Sequence, residues 1–578
     1  MKLLSGNEAI AQGAWEAGAH IGAAYPGTPS TETMETFAKL PGVYAEWCNN
    51  EKVALEVAMG ASIAGARTLV TMKHVGVNVC ADPLFTASYC GINGGLVLLA
   101  ADDPGMFSSQ NEQDSRYYAM ASMVPMLEPS DSQEALDYTK KAYELSEKFD
   151  TPVMLRSTVR ISHTKTPVEC GERVEVPIKD YESNTAKYVM MPAFAKPRRK
   201  VLADRVHMMK QWAETCQFNT IERTDSSIGV ICAGSCYEHV KEACPDVNIF
   251  KLGCVWPLPE NALVDFALSV DEVYVVEEAS TYLSDAVSAA GVVLNTFENP
   301  LPEVGEIHPE DILFALGRPL PEHEESLTDV PGRPPALCAG CPHRLVFKEL
   351  SRMKAIVTGD IGCYTLGGLP PLNAMDTTLD MGASVSMAHG FELALQGTKH
   401  RPVVAVIGDS TFAHSGLSSL LSTIYNKGVG TVCILDNRTT AMTGQQGNPF
   451  NGVTLQNRAS NELNLPAILE AMGVDNLHIV DPFDMKAVRN TLRQATDNDA
   501  LDVIIFQGPC VLLTKNNNKP KYCVSEECEA CGICSTLGCP AISKDEETGK
   551  AIIDEEMCVG CNQCSQYCAY AAIYQKEQ

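Results

Sequence analysis

The sequence predicts a multidomain α/β protein that ends in a small, cysteine-rich α+β domain, and three observations carry that expectation. The chain is 578 residues long, more than one hydrophobic core serves, so several domains are expected. Short apolar runs alternate with helix-like stretches along most of it, the pattern of parallel strands joined by helices. Cysteines at regular short spacings crowd the segment from Cys528 to Cys568.

Composition narrows the class. With 45% hydrophobic and 20% charged residues the chain can bury large cores, and a net charge of −28 argues against a nucleic-acid partner, which needs a basic surface. Acidity is densest at the end, where Cys523 to Gln578 carries ten Asp/Glu against three Lys. That fits a solvated surface, and equally a face that orients an electron-transfer partner. Met1 to Ala14 has no apolar core, so no secretory signal is expected. Val75 to Ala101 is broken by Asp82 and Pro83 and reads as buried α/β structure, not as a membrane span. Twenty-three cysteines without an export signal point to metal or redox chemistry in a reducing, cytoplasmic setting.

The tail reads Cys528-x-x-Cys531-x-x-Cys534-x4-Cys539-Pro540, then Cys558-x-x-Cys561-x-x-Cys564-x3-Cys568. Three cysteines at two-residue intervals wrap one [4Fe–4S] cube, and the fourth of each run crosses to the other cube. On that rule one cluster takes Cys528, Cys531, Cys534 and Cys568, and the other takes Cys558, Cys561, Cys564 and Cys539. Paired Cys-x-x-Cys motifs also suit zinc ribbons, but a third cysteine in register, twice, favours clusters. The four-residue gap before Cys539 and Ala569 after Cys568 depart from the usual run. Cys523 lies outside the pattern. Such a module moves electrons and performs no substrate chemistry.

In the middle of the chain, Pro402–Ile407 is an apolar run ending in Gly408-Asp409-Ser410, and Thr431–Leu435 is a second ending in Asp436-Asn437. Two buried strands around a helix make a parallel βαβ unit, whose ligands bind at the carboxyl ends of the strands. Asp409 and Asn437 fall at those ends, where hard oxygen ligands suit Mg²⁺ holding a pyrophosphate. An Asp that merely caps a helix would look the same. The pair resembles the thiamine-diphosphate signature, Gly-Asp-Gly followed by Asn-Asn, with Ser410 and Asp436 as departures. The resemblance implies a diphosphate held by Gly408, Asp409 and Ser410, and Mg²⁺ ligated by Asp409, Asn437 and the carbonyl of Thr439.

Thiamine diphosphate also needs a carboxyl group against its aminopyrimidine ring. The helical segment from Asn50 to Arg67 offers Glu51 and Glu56, and periodicity does not choose between them; either could be a solvated first-turn Glu. The segment resembles the Glu-x-x-Ala-x-x-x-Ala-x-Gly pattern of pyrimidine-binding domains, which assigns the role to Glu51. Upstream, Tyr25-Pro-Gly-Thr28-Pro-Ser-Thr31 reads as a proline-rich turn capping a helix. It also resembles the substrate loop of 2-oxoacid:ferredoxin oxidoreductases, where the residue matching Thr28 faces substrate and cofactor.

With Lys73-His74-Val-Gly-Val-Asn78 and Ser108-Ser-Gln-Asn-Glu-Gln-Asp114, the likeness to that family covers nearly the whole chain. It points to the large, alpha subunit of the branch acting on arylpyruvates such as indolepyruvate. It implies four domains: 1–185 pyrimidine-binding, 195–320 transketolase-C-like, 330–515 diphosphate-binding and 520–578 ferredoxin-like, with two [4Fe–4S] clusters. His74 is a candidate substrate contact, or a core histidine. The third domain's strand-like fragments near Gly229, Leu252 and Val273 suggest organisation and not chemistry, and Pro300 to Pro335 reads as a linker. By the same resemblance Cys338, Cys341, Cys363 and Cys510 would hold a third cluster, although buried thiols are common without one.

The implied reaction is oxidative decarboxylation of a 2-oxo acid with coenzyme A and oxidised ferredoxin, giving acyl-CoA, CO₂ and reduced ferredoxin. Electrons leaving one at a time call for clusters and not NAD. A small beta subunit is the implied partner, in a heterodimer or an α2β2 assembly. Two rivals stand: the same reaction on an aliphatic 2-oxo acid, and an electron-transfer subunit without catalysis of its own.

Overall fold

A computed structural model of the chain describes residues 1–321, 332, 334–514 and 519–576. It divides into two compact units, 1–328 and 329–578.

The first unit is built on a seven-stranded sheet in the order Cys254–Trp256, Met126–Leu127, Val153–Thr158, Leu96–Asp102, Thr68–Lys73, Ile21–Ala24 and Tyr44–Trp47. Every neighbouring pair is parallel except the first. The central strands Thr68–Lys73 and Leu96–Asp102 are buried at every position, as a parallel sheet covered on both faces demands. A second sheet, Glu272–Val276, Ile228–Ala233, Asn248–Leu252 and Thr220–Glu222, shares one core with the first, in which Val70 and Leu98 are joined by Ile231, Phe250 and Val275. The stretch Val75–Ala101, expected as buried α/β structure, forms helices His74–Val79 and Ala81–Cys90 and the strand from Leu96. Among the described residues no helix is long and apolar enough to cross a membrane.

Charge enters this core as a network. Arg156, 1% exposed, donates from Nε to Asp102 (2.7 Å) and from Nη1 to Glu128; Arg116 donates to Asp114 (2.7 Å) and to the carbonyl of Glu278 (3.2 Å). Ser280 donates to Asp114, so this network fastens strand 153–158 and the loop at 114 to the segment at 278–280. Removing one partner strands its counter-charge in low dielectric, so Arg156→Met is expected to cost about 3–5 kcal/mol. Denaturant unfolding of the variant checks it; a loss under about 1 kcal/mol, the range of surface ion pairs, would contradict this account.

The segment expected to separate domains near 185–195 carries helices Thr185–Tyr188 and Pro192–Ala213. Arg198 and Arg205 of the second bond the carbonyls of Tyr89 (2.6 Å) and Ser88. The expected linker holds a short helix, Pro309–Ala315, whose Ile312 joins an apolar cluster with Val240; residues 322–331 and 333 of that linker lie outside the described residues.

The second unit contains a five-stranded, all-parallel sheet in the order Ile356–Thr358, Val403–Gly408, Gly430–Asp436, Leu501–Gln507 and Asn476–Val480. Alternate residues feed opposite faces: Val404, Val406, Cys433 and Leu435 one core, Val403, Ala405, Ile407 and Ile434 the other. The tail adds two antiparallel ribbons, Tyr522–Val524 with Ile573–Gln575 and Ile542–Lys544 with Ala551–Ile553. It is held to the α/β part by Leu345, Met485 and Leu537, by Tyr567 donating to Glu349, itself paired with Arg489 (2.8 Å), and by Gln566 donating to Phe483 O (2.8 Å).

Candidate functional sites

Strand Val403–Gly408 runs directly into Asp409, and strand Gly430–Asp436 into Asn437, so both side chains stand at the carboxyl edge of the parallel sheet. Asp409 is 2% exposed and accepts from Asn448 Nδ2 (2.9 Å). Burial, then the neighbouring Asp436, push its carboxyl up to about 7. Asp436 itself is paired with Arg438 (3.2 Å), which leaves the buried Asp409 carboxyl as the candidate oxygen ligand for a divalent cation. Asn437 Oδ1 accepts from Thr439 N (3.1 Å), and Thr439 Oγ1 donates to Gln446 O (3.1 Å). Ser410 accepts from Thr440 Oγ1 (2.8 Å), tying the two strand ends together. Gly408 has no room for a side chain, since a Cβ there would lie 2.6 Å from the ring of Tyr364.

The sequence did not single out His343, Asp360 or Asn448, which complete this corner. His343, held near 4 by burial and therefore neutral, accepts from Asn437 Nδ2 (3.4 Å). Asp360, pushed up to about 6 by burial, accepts from the N–H groups of Gly382 (2.8 Å) and Ser384 (3.2 Å) at the start of helix Ala383–Leu395. No periodicity marks these residues. The only signal was proximity in sequence, His343 following Cys341-Pro342 and Asp360 preceding Gly362-Cys363.

Cys338, Cys341, Cys363 and Cys510 come together in the same unit. Burial pushes the thiol of Cys341 up to about 12 and that of Cys363 up to about 11; Cys338 acts on both, and Cys510 on Cys363. Cys510 N donates to Asn437 O (3.0 Å), which sets this group beside the carboxyl edge of the sheet.

The eight tail cysteines fall into two groups. Cys528, Cys531, Cys534 and Cys568 line one pocket together with Ile533, Tyr570 and Ile573. Cys564, pushed up to about 12 by burial, is surrounded by Cys561, Cys539 and Cys558. Among the described residues no three His, Cys, Asp or Glu side chains converge as a single ion requires. Cys523 lies apart, with its Sγ 3.8 Å from Tyr574 O.

In the first unit the predicted residues also gather at the carboxyl ends of parallel strands. Asn50 caps helix Glu51–Ile63 by accepting from Val53 N (2.9 Å), which turns Glu51, 5% exposed, inward. A Cβ on Gly76 would lie 2.7 Å from the Glu51 carboxylate, so only glycine lets helix His74–Val79 approach it. Glu56 is exposed and pairs with Lys52. Thr28, half-buried, follows strand Ile21–Ala24, and its carbonyl accepts from Ser108 Oγ (3.4 Å). Lys73, brought down to about 8 by burial, donates to Ser108 O (2.6 Å). His74, 1% exposed and lowered by burial, donates from Nε2 to Asn111 O (3.2 Å); its Nδ1 is buried with no hydrogen-bond partner among the described residues.

Known proteins resemble the chain in both units. Residues 12–226 match the thiamine-diphosphate-binding model of pyruvate flavodoxin/ferredoxin oxidoreductases. Residues 360–506 match the C-terminal TPP-binding domain of thiamine pyrophosphate enzymes. Over 99% of its length the chain is 40% identical to "Indolepyruvate oxidoreductase subunit IorA" of Pyrococcus horikoshii, covering 96% of that protein. It is 39% identical to the Archaeoglobus fulgidus protein of the same name, over 99% of this chain and 97% of the relative. A 2-oxoglutarate synthase subunit KorA of Methanothermobacter thermautotrophicus is 28% identical over 30% of this chain and 48% of its own.

Proposed function

This chain belongs to the indolepyruvate oxidoreductase IorA family of thiamine-diphosphate-dependent 2-oxoacid:ferredoxin oxidoreductases, and on that premise we propose that it decarboxylates an arylpyruvate, indolepyruvate in particular, and transfers the acyl group to coenzyme A. The balanced reaction takes one 2-oxo acid, one coenzyme A and two oxidised ferredoxins to acyl-CoA, CO₂, two reduced ferredoxins and a proton.

The observation that carries this reading is the Cys510 N–H bond to Asn437 O. It joins a four-cysteine group to the corner where Asp409, Asn437 and the carbonyl of Thr439 would hold Mg²⁺ and the diphosphate. An electron taken from a thiamine-bound substrate would then have an acceptor within a few residues.

The donor sets suit these groups. The buried Asp409 carboxyl suits a cation, and thiols held neutral by burial and by one another give up their protons on ligating a metal. Bound there, thiamine diphosphate supplies a nucleophilic carbon and an electron sink. Gly408 and Ser410 would approach the diphosphate, and Glu51 would hold the aminopyrimidine proton. Thr28 and His74 would contact substrate, His74 through the Nδ1 left without a partner. Cys338, Cys341, Cys363 and Cys510 would hold one [4Fe–4S] cluster and the tail's two cysteine sets one each, in a ferredoxin-like domain at 520–578. Residues 577 and 578 of that domain lie outside the described residues. The remaining boundaries, 1–185, 195–320 and 330–515, and the small beta-subunit partner, in a heterodimer or an α2β2 assembly, belong to the same proposal.

Ferredoxin reduction by the chain with its beta partner, assayed with indolepyruvate and with pyruvate, tests it. Faster, CoA-dependent reduction with indolepyruvate is expected. A preference for pyruvate would move the assignment to aliphatic substrates. No reduction with any 2-oxo acid in the thiamine-loaded complex would leave only an electron-transfer subunit.

A further inference from the structure

Arg344 sits where a cation is out of place. It lies in the first turn of helix His343–Met353, the positive end of the helix dipole, where a basic side chain is disfavoured. It is 1% exposed, and among the described residues it has no carboxylate partner. Its hydrogen bonds go to three backbone carbonyls: Nη2 to Leu337 O (2.6 Å) and Cys338 O (2.8 Å), and Nη1 to Leu537 O (2.7 Å). Its Nε–H is buried with no hydrogen-bond partner among the described residues. A guanidinium taken out of water without a counter-charge costs several kcal/mol, so an anionic group has to stand beside it. Breaches of local rules of this kind mark functional positions.

The three carbonyls show which anions. Leu337 and Cys338 belong to the loop of the Cys338–Cys341 pair, while Leu537 precedes Cys539, which is grouped with Cys558, Cys561 and Cys564. The same two loops meet again nearby. Gln563, between Cys561 and Cys564, donates to Cys341 O (2.9 Å), and the backbone at Gly340 (φ +75) is so close to Val559 that a Cβ there would overlap its side chain. The guanidinium favours the charged form of both the Cys341 and the Cys561 thiols. The Cys534 thiol instead responds to Cys528 and Cys531.

We propose that Arg344 is a positioning residue of the electron path, which clamps the Cys338–Cys341 loop to the loop entering Cys539 and, as a fixed buried cation between these two cysteine sets, raises the reduction potential of the cluster each holds. A cysteine-ligated [4Fe–4S] cluster is net negative and becomes more so on reduction. A nearby positive charge in low dielectric therefore stabilises the reduced form, and hydrogen bonds to the sulfurs act in the same direction. The set Cys528, Cys531, Cys534 and Cys568 meets this clamp only through the turn Cys534–Leu537, so its cluster is expected to respond least. Arg344 thus matches the two inner clusters to each other more than to the outer one.

The inference rests on the three-cluster reading above, and the experiment separates the two. The full chain with its clusters is titrated electrochemically under EPR, with iron and sulfide counted on each sample. In Arg344→Met, two of the three clusters are expected to show at least a tenfold lower ratio of reduced to oxidised form at fixed potential, a 59 mV downward shift for a one-electron couple. The third shifts least, and Arg344→Lys restores the two. Should Arg344→Met lose iron, Gln563→Glu sets a carboxylate at the same junction and is expected to lower the same two potentials. Unchanged potentials in a fully loaded variant overturn the inference alone. A wild-type chain with too little iron for three clusters overturns the reading beneath it as well.

Discussion

Replacing Glu51 with Gln is expected to lower turnover of the 2-oxo acid by roughly 10²–10⁴-fold, the usual range for removing a general acid–base group, while thiamine diphosphate stays bound. The substitution keeps the shape of the side chain, so its close approach to Gly76 survives, and Asn50 still caps the helix through Val53 N. Loss of a negative charge from the first helical turn costs about 0.3–1 kcal/mol, too little to unfold a domain. What the amide lacks is the capacity to take and return a proton. Glu56→Gln is the matched control: its carboxylate, five residues beyond Glu51 on the same helix, is exposed and paired with Lys52, and its loss should leave turnover unchanged. Steady-state ferredoxin reduction, with bound cofactor measured on the same samples, reads both variants. Equal rates for Glu51→Gln and wild type would remove Glu51 from the chemistry.

That contrast also marks where sequence reasoning reaches its limit. The helix Glu51–Ile63 is apolar on nearly all sides, with Val53, Leu55, Val57, Met59 and Ile63 leaving no clean polar face, so periodicity had nothing with which to separate Glu51 from Glu56. Only the fold, which packs that helix against strands Ile21–Ala24 and Thr68–Lys73 and leaves Lys52, Glu56 and Gly60 exposed, turns one inward. Strands Val403–Gly408 and Gly430–Asp436 were legible for the opposite reason. Buried on both faces, they read as unbroken apolar runs, and a polar residue just past each end had to face the ligand edge. The tail was legible because cluster ligation imposes its own spacing. Asn448 was not, since it reaches Asp409 across 39 residues of chain, a separation that no local pattern encodes. Arg156 left a trace that could have been followed. An arginine inside the apolar strand Val153–Thr158 breaks the pattern, and a charge in such a place needs a buried partner.

Asp409→Asn is expected to weaken Mg²⁺-dependent binding of thiamine diphosphate by at least about 100-fold, since even indirect supports of a metal ligand are worth 10–100-fold. The pH dependence makes the prediction sharper. With its carboxyl near 7, Asp409 holds a proton that the cation must displace, so wild-type affinity should fall about tenfold for each pH unit below 7. In the asparagine variant binding should be weak and flat across the same range. Stability of the cation-free protein carries the same signature. An unfolded Asp titrates near ~3.9, so between about pH 4 and 7 the folded state keeps a proton that the unfolded chain has released. Stability then declines as pH rises through that window. Adding Mg²⁺ and thiamine diphosphate should abolish the decline, because the cation replaces the proton as the counter-charge, and Asp409→Asn should abolish it without any ligand. Calorimetric titration with Mg²⁺ and thiamine diphosphate, and unfolding midpoints from pH 5 to 8, check the two arms separately. If the variant keeps a wild-type pH slope, the titrating group is elsewhere and Asp409 does not face the cation.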